Sequence, residues 1–151
     1  MTRPPRGYAH FIEIHQPATR AFAAFTEPDL LARWYGVEAT VEPRQGGMHR
    51  VRLKDGRVRD ATLDVWDPGR RLRLIYMPDP LRPPNEAGPL VEDVLFDTKP
   101  AATIVRVLGN GLPATPEWDA EFRWLRHAWI YWLDGLKHLL DGEQPRAAKR
   151  R

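Results

Sequence analysis

The segment FRWLRHAWIYWLDGLKHLL, residues 122–140, is the longest part of this sequence with apolar residues at helical spacing. Its large side chains recur at intervals of three and four, so on a helix they occupy one stripe about 120° wide. The members of the stripe are Phe122, Leu125, Trp129, Trp132, Leu136 and Leu139. The pattern predicts a long helix that packs against a sheet, with tryptophans that either fill the core or wall an apolar pocket.

Short strand-like segments separated by turn residues precede this helix. Pro17 and Pro28 open two short helical segments, and Gly46-Gly47, Asp55-Gly56 and Asp67-Pro68-Gly69 are typical of tight turns. The predicted helices are residues 18–26 and 29–34, and the predicted strands are residues 8–15, 37–43, 48–53, 58–66, 71–76, 91–97 and 103–108. This order predicts an α+β fold in which a curved antiparallel sheet surrounds a long C-terminal helix, with two short N-terminal helices.

Two connections in this pattern have special composition. Residues 77–89 hold five prolines and no periodicity, which indicates a loop of the length that lids and binding loops often have. We expect it at the mouth of a cavity. Residues 109–116 are expected to connect the last strand to the final helix, with Gly109-Asn110-Gly111 as a turn and the helix starting near Thr115 or Pro116.

Length and charge predict one domain with basic ends. The 151 residues suit a single core, which we place at residues 8–141, between a flexible N-terminus at 1–7 and a flexible basic tail at 142–151. The net charge of +3 is modest and concentrated at the ends, so no nucleic-acid partner is expected. No apolar run approaches the roughly 18 residues of a membrane span, so no membrane contact is expected. The absence of cysteine suits a reducing cytoplasm.

Several kinds of catalytic or binding site are not expected, because the residues they require are absent or wrongly spaced. The chain has neither cysteine nor serine, which excludes thiolate and serine nucleophiles. On a helix His127 and His138 would lie about 16 Å apart, too far to share a metal ion. His10 and His15 would point to opposite faces of a regular strand. No glycine-rich segment has the spacing of a phosphate-binding loop, so we expect no metal and no cofactor.

Strand parity selects polar residues that could face a pocket. Tyr76 shares a strand face with Leu72 and Leu74, and Arg59 has the parity of Ala61, Leu63 and Val65. Either polar side chain could orient a mostly apolar ligand, or instead emerge at the sheet end or extend into water. The predicted ligand site consists of Tyr76, Trp129, Trp132, Leu63, Leu74, Phe96 and Arg59.

Two further aromatic residues lie off the main stripe of the helix. Trp124 and Tyr131 are seven residues apart and share a different face, about 130° away. They either cover the first helices or form a self-association patch, so a homodimer through Trp124 and Tyr131 is one hypothesis.

Four motifs in order resemble a known superfamily. They are AFTEPDLLARW at residues 24–34, PRQGG at 43–47, VWDP at 65–68 followed by Arg71-Leu72, and Ala128-Trp129 followed by Leu133, Leu136 and Leu140. Together they cover residues 8–140 and resemble the START-like (SRPBCC) superfamily, and more closely its branch called activator of 90-kDa heat-shock protein ATPase homologue-like. Ala128 in place of the usual glycine and the proline-rich loop depart from the pattern of the branch.

The resemblance implies a helix-grip fold with an internal cavity and no shared catalytic set. Our first hypothesis is a protein that binds a small apolar or aromatic molecule between the C-terminal helix and the concave sheet. The alternatives are a cyclase- or dehydratase-like enzyme in which Tyr76 or Arg59 polarises a carbonyl, and a co-chaperone-like interaction module that works through its outer surface.

Overall fold

The computed structural model of this protein describes residues 3–143, and the statements below refer to that part of the chain. Its strands are β1 Arg6–Ile14, β2 Glu38–Val41, β3 Met48–Arg52, β4 Val58–Asp67, β5 Arg71–Tyr76, β6 Val91–Lys99 and β7 Ala102–Leu112. Its helices are α1 Ala18–Thr26, α2 Pro28–Trp34 and α3 Asp119–Asp141, and a short 3₁₀ turn, Pro116–Trp118, leads into α3. The predicted α+β helix-grip fold is confirmed.

One antiparallel sheet of seven strands carries the fold, in the order β1-β7-β6-β5-β4-β3-β2. Along β5 and β6 and through the middle of β7, buried side chains alternate with more exposed ones, as expected when one face of a sheet is covered. Helix α3 covers that face with the predicted stripe, from which Leu125, Trp129, Trp132 and Leu136 are buried. The core therefore lies between α3 and the inner face of the sheet.

Helices α1 and α2 close one side of this core with aromatic residues. Phe25 of α1 packs edge-on against Trp34 of α2 and Phe96 of β6, with ring centroids 4.9 and 5.5 Å apart. The indole Nε1 of Trp34 donates a hydrogen bond of 2.8 Å to the carbonyl oxygen of Ala24, so this buried polar group is paired.

The structure differs from the sequence-based prediction in two strands. The prediction that Gly109-Asn110-Gly111 forms a turn is wrong, because β7 continues through these residues and ends at Leu112, paired with both β1 and β6. In β4 the register shifts between Leu63 and Val65, so Val65 no longer shares the inward parity of Arg59. Neither the continuation of β7 nor the register shift in β4 can be predicted from composition alone.

Both chain ends that were predicted to be flexible make contacts in the parts that the structure describes. Strand β1 begins at Arg6, whose guanidinium donates to the carbonyl of Pro113 and to the carboxylate of Asp119 at 2.6 and 2.7 Å. At the other end, Arg20 pairs with Glu143 at 2.8 and 2.5 Å. Residues 1–2 and 144–151 lie outside the described part, so the boundaries drawn at 1–7, 8–141 and 142–151 stay a prediction.

Candidate functional site

A cavity of about 970 Å³ lies at one end of the sheet, beside the first turns of α3. The start of β4, the end of β5 and the proline-rich loop between β5 and β6 form most of its wall. The loop therefore lies over a hollow space, which is the position expected of a lid. Most residues of the wall are apolar: Val58, Ile75, Met77, Pro78, Pro80, Pro83, Pro84, Pro89, Leu90, Leu112, Trp118, Trp124 and Leu125.

Two groups of polar side chains stand out in the wall, which also includes Asp60, Asp79 and Asn85. The first group is Arg57, Arg82 and Glu121, which lie where the loop meets α3. Glu121 forms ion pairs with Arg57 at 3.4 Å and with Arg82 at 3.0 Å. Glu121 thus bridges the β3–β4 turn and the proline-rich loop. Arg59 and Tyr76 form the second group, on β4 and β5.

Arg59 is held by a buried carboxylate that does not itself line the cavity. Its Nη1 and Nη2 each donate to one oxygen of Glu92 at 3.1 Å, the two-pronged geometry that suits a guanidinium and a carboxylate. The Arg59 side chain is 8% exposed and that of Glu92 is 1% exposed. A pair buried to this degree must be well satisfied, because charges removed from water lose their hydration.

Three more donors complete the surroundings of Glu92. The hydroxyl of Tyr76 donates at 2.6 Å, the indole Nε1 of Trp129 donates at 2.8 Å, and the hydroxyl of Tyr8 also donates to the carboxylate. Arg59 Nη1 additionally donates to the hydroxyl oxygen of Tyr35 at 2.6 Å. We call this set, Tyr8, Tyr35, Arg59, Tyr76, Glu92 and Trp129, the Glu92 cluster.

Strand order brings the members of the Glu92 cluster together. Glu92 on β6 pairs with Leu74 on β5, one inward position before Tyr76, and Tyr76 pairs with Ala61 on β4, one inward position after Arg59. On the other side of β6, Glu92 pairs with Gly109 of β7, which in turn pairs with Tyr8 of β1. The cluster therefore runs across five neighbouring strands and is closed from above by Trp129 of α3.

The pKa shifts in the Glu92 cluster favour a state in which its charges sum to zero. Burial by itself would raise the pKa of Glu92, but the Arg59 guanidinium and the hydrogen bonds from Arg59, Tyr76 and Tyr8 outweigh it and hold the pKa below its usual value. Burial raises the pKa of Tyr35 to about 12, and burial likewise raises the pKa of Tyr8 and of Tyr76. At neutral pH the cluster therefore contains one anion, one cation and uncharged phenols.

Aromatic rings enclose the guanidinium of Arg59. Its central carbon lies 4.2 Å from the ring centroid of Tyr76, and 5.7 and 5.9 Å from those of Trp132 and Trp129. Such ring faces attract a cation, more strongly when water is excluded. The arrangement fixes Arg59 in place and makes it a rigid hydrogen-bond donor at the cavity wall.

The seven residues of the predicted ligand site fall into two environments. Arg59 and Tyr76 line the cavity, and Arg59 does not extend into water. Trp129 touches Glu92, and Trp132, Leu63, Leu74 and Phe96 are buried in the packed core and do not line the cavity. A ligand role for the seven residues stays a prediction.

Sequence reasoning missed Glu92, Tyr8 and Tyr35. Glu92 carried a signal, because it has the parity of Val94 and Phe96 and so had to point inward with them. A charged residue on an inward face requires a buried partner. Tyr8 had the same inward parity as Ile12 and Ile14, whereas Tyr35 follows α2 and carried no periodic signal.

Trp124 and Tyr131 have different surroundings. The Trp124 ring is half-buried, packs edge-on against Trp132 at 5.8 Å and is covered by the Arg57 guanidinium at 4.0 Å. Tyr131 is 65% exposed and its neighbour Ile130 is 60% exposed. Trp124 therefore belongs to the cavity wall of its own subunit, and the exposed apolar surface of α3 centres on Ile130 and Tyr131.

The described residues contain no grouping of three or more histidine, aspartate or glutamate side chains that could hold a metal ion. None of the helices within residues 3–143 is both long enough and apolar enough to span a membrane.

The curved sheet that grips α3, with a cavity beside it, defines a START-like domain. The chain belongs to the family described as Activator of Hsp90 ATPase homolog 1-like protein, whose model matches residues 15–141. No curated protein matches the sequence at a significant level.

Solved structures share the fold at low sequence identity. Protein MLL2253 from Mesorhizobium loti has a TM-score of 0.79 at 19% identity, over 93% of this chain and 100% of that one. The Aha1 dimer from Colwellia psychrerythraea has a TM-score of 0.76 at 18% identity, over 90% and 96%. PFC0360w, an HSP90 activator from Plasmodium falciparum, has a TM-score of 0.72 at 20% identity, over 89% and 95%.

Proposed function

We propose that this protein binds a small, mostly apolar molecule in the cavity beneath the proline-rich loop. The observation that carries the proposal is the cavity itself, because 970 Å³ is within the size range of small-molecule sites and most of its wall is apolar. Arg59 and Tyr76 supply the few fixed polar groups that such sites use to orient a ligand. The proposal includes no cofactor, and a cytoplasmic location, for which the absence of cysteine is the support.

A binding role fits the Glu92 cluster better than a role in proton transfer. The Glu92 carboxylate accepts five hydrogen bonds, from Arg59 twice and from Tyr8, Tyr76 and Trp129. A carboxylate so fully engaged, with its pKa lowered, is a weak general base. The cluster is therefore better suited to holding a ligand than to reacting with it.

A cavity-filling variant tests the proposal. Val58 lines the cavity and is 38% exposed, whereas Val37 is 43% exposed and lies outside the cavity wall, so the two valines form a matched pair. We expect a hydrophobic fluorescent dye to bind the unmodified protein and to quench tryptophan emission, since Trp118 and Trp124 line the cavity. Val58→Trp should weaken dye binding and Val37→Trp should not. Equal binding to both variants, or no binding to the unmodified protein, would refute the proposal.

A protein-interaction role is the second candidate, supported by the exposed Ile130 and Tyr131 on α3. A homodimer through Trp124 and Tyr131 is its specific form, although Tyr131 offers the larger exposed surface. Sedimentation should then show a dimer that Tyr131→Glu converts to a monomer. Phe11→Glu on β1 is the matched control, because Phe11 is an equally exposed aromatic at 70%. A monomeric unmodified protein would exclude this dimer.

A further inference from the structure

The Arg59 guanidinium has unused donors on the edge that carries Nε. Among the described residues it donates three hydrogen bonds, two from Nη1 and one from Nη2. A guanidinium has five N–H groups, so the Nε–H and one N–H of Nη2 remain. These two groups lie on the same side of the planar fork and point in nearly the same direction.

This edge is open to the cavity. Within residues 3–143, His10 Nε2 is the single side-chain nitrogen or oxygen that is sealed from solvent and has no partner. Arg59 Nε also has no partner among these residues, so it is not sealed. Since Arg59 lines the cavity and is otherwise enclosed by Tyr35, Tyr76 and Glu92, its open edge faces the cavity.

The charge of Arg59 is already balanced. Glu92 holds it in a two-pronged ion pair that is almost completely buried. A ligand carboxylate on the open edge would place a second anion on the same cation and give the almost completely buried cluster a net negative charge, which is costly. A neutral oxygen can accept from both N–H groups without changing the charge of the cluster.

We infer that the Nε and Nη2 edge of Arg59 is the recognition site for a neutral carbonyl oxygen, so that the ligand is an uncharged apolar molecule bearing a ketone, amide or quinone group. The inference rests on the proposed function, and it assigns the ligand class that the cavity takes. The carbonyl binds at the end of the cavity formed by β4 and β5, and the apolar body of the ligand lies beneath the proline-rich loop.

Three probes of similar size test this on the unmodified protein by calorimetry. They are ethyl naphthyl ketone, propylnaphthalene and naphthoate. A hydrogen bond to a charged donor stabilises by enough that we expect the ketone to bind about tenfold or more tightly than propylnaphthalene. Naphthoate should bind more weakly than the ketone. The carbonyl stretch of the bound ketone should also move to lower frequency than in an apolar solvent.

Each outcome decides a different point. If all three probes bind with similar affinity, or if naphthoate binds most tightly, the carbonyl inference is overturned while the proposed function stands. If none binds, both are overturned. A carbonyl stretch that matches the apolar solvent would also overturn the inference.

A paired variant locates the effect. Arg59→Met with Glu92→Gln removes both charges and keeps an amide oxygen for the tyrosine hydroxyls, and it should abolish the preference for the ketone over propylnaphthalene. Arg73→Met with Asp93→Asn is the control, because that pair links β5 and β6 at 2.9 Å outside the cavity wall. A folded Arg59→Met, Glu92→Gln protein that retains the ketone preference would overturn the inference. If that variant does not fold, the three-probe comparison on the unmodified protein decides.

Discussion

Gly109 on β7 leaves the space into which the ring of Tyr8 folds. The two residues are partners in the β1–β7 ladder, and a Cβ added to Gly109 would lie 2.1 Å from the Tyr8 ring. Glu92 pairs with Gly109 from the other side, on β6. The missing side chain lets the Tyr8 ring cross over β7, and its hydroxyl then reaches the Glu92 carboxylate. The absence of a side chain at Gly109 thus positions one hydrogen-bond donor of the Glu92 cluster.

Gly109→Ala should destabilise the protein by about 1–3 kcal/mol, the usual cost of overpacking a full core, because ring and methyl cannot share the space. Urea unfolding measures the effect. Gly135→Ala is the control: its added methyl meets Trp34 at an ordinary 3.6 Å, and alanine in a helix interior should stabilise by about 0.5–1 kcal/mol. Equal effects of the two substitutions would show that the Tyr8 ring is free to move aside.

Glu92→Gln should cost about 3–5 kcal/mol, since it leaves the Arg59 charge buried without a counter-ion. Adding Arg59→Met in the same chain should recover a large part of this loss, because no unpaired charge then remains. Denaturant melts of both single variants and the double variant give the coupling between the two residues. Additive losses would mean that the pair is not energetically coupled.

Acid should weaken the fold through His49. This residue is buried on β3, its ring Nε2 lies 2.7 Å from the carbonyl oxygen of Phe25, and burial, with a smaller effect of Arg59, lowers its pKa. In the unfolded chain a histidine takes up its proton near pH 6.5, so below that pH the unfolded state binds more protons than the folded one. The stabilisation is complete above about pH 6.5 and is lost as pH falls toward the lower folded pKa.

His49→Gln should therefore flatten the pH dependence of unfolding below neutrality, while the exposed His127→Gln should leave it unchanged. Part of the slope will remain in His49→Gln, because burial also lowers the pKa of His10. Melting temperatures across this pH range provide the measurement. An unchanged slope in His49→Gln would contradict the assignment.

Glu121→Gln should loosen the proline-rich loop with little effect on global stability. Glu121 joins Arg82 of the loop to Arg57 at 3.0 and 3.4 Å, and partly exposed ion pairs contribute only about 0–1 kcal/mol. We expect faster hydrogen exchange in residues 78–89 and faster association and dissociation of a bound dye. The exposed Glu117→Gln serves as the control. Exchange that stays the same in Glu121→Gln would show that the bridge does not hold the loop.

The periodic parts of the chain were readable from the sequence. The stripe from Leu125 to Leu136 follows the helical period, and the β5 residues Leu72 and Leu74 follow the strand period, because each pattern reports directly which face is buried. Turn residues such as Asp55-Gly56 separated the strands for the same local reason. The proline-rich loop also followed from composition, whereas strand parity allowed inward positions for Arg59 and Tyr76 without excluding exposed ones.

Contacts between distant segments were decided only by the tertiary structure. Arg59 and Glu92 are 33 residues apart, and their pairing depends on the order β4-β5-β6 and on registers that no local pattern encodes. The position of the cavity depends on how the rings pack: Trp129 and Trp132 pack edge-on against each other, 5.1 Å apart, and both contact the buried ring of Tyr35, which follows α2. The remaining space therefore opens beside the first turns of α3, because packing of large rings is a property of the assembled molecule and not of any one segment.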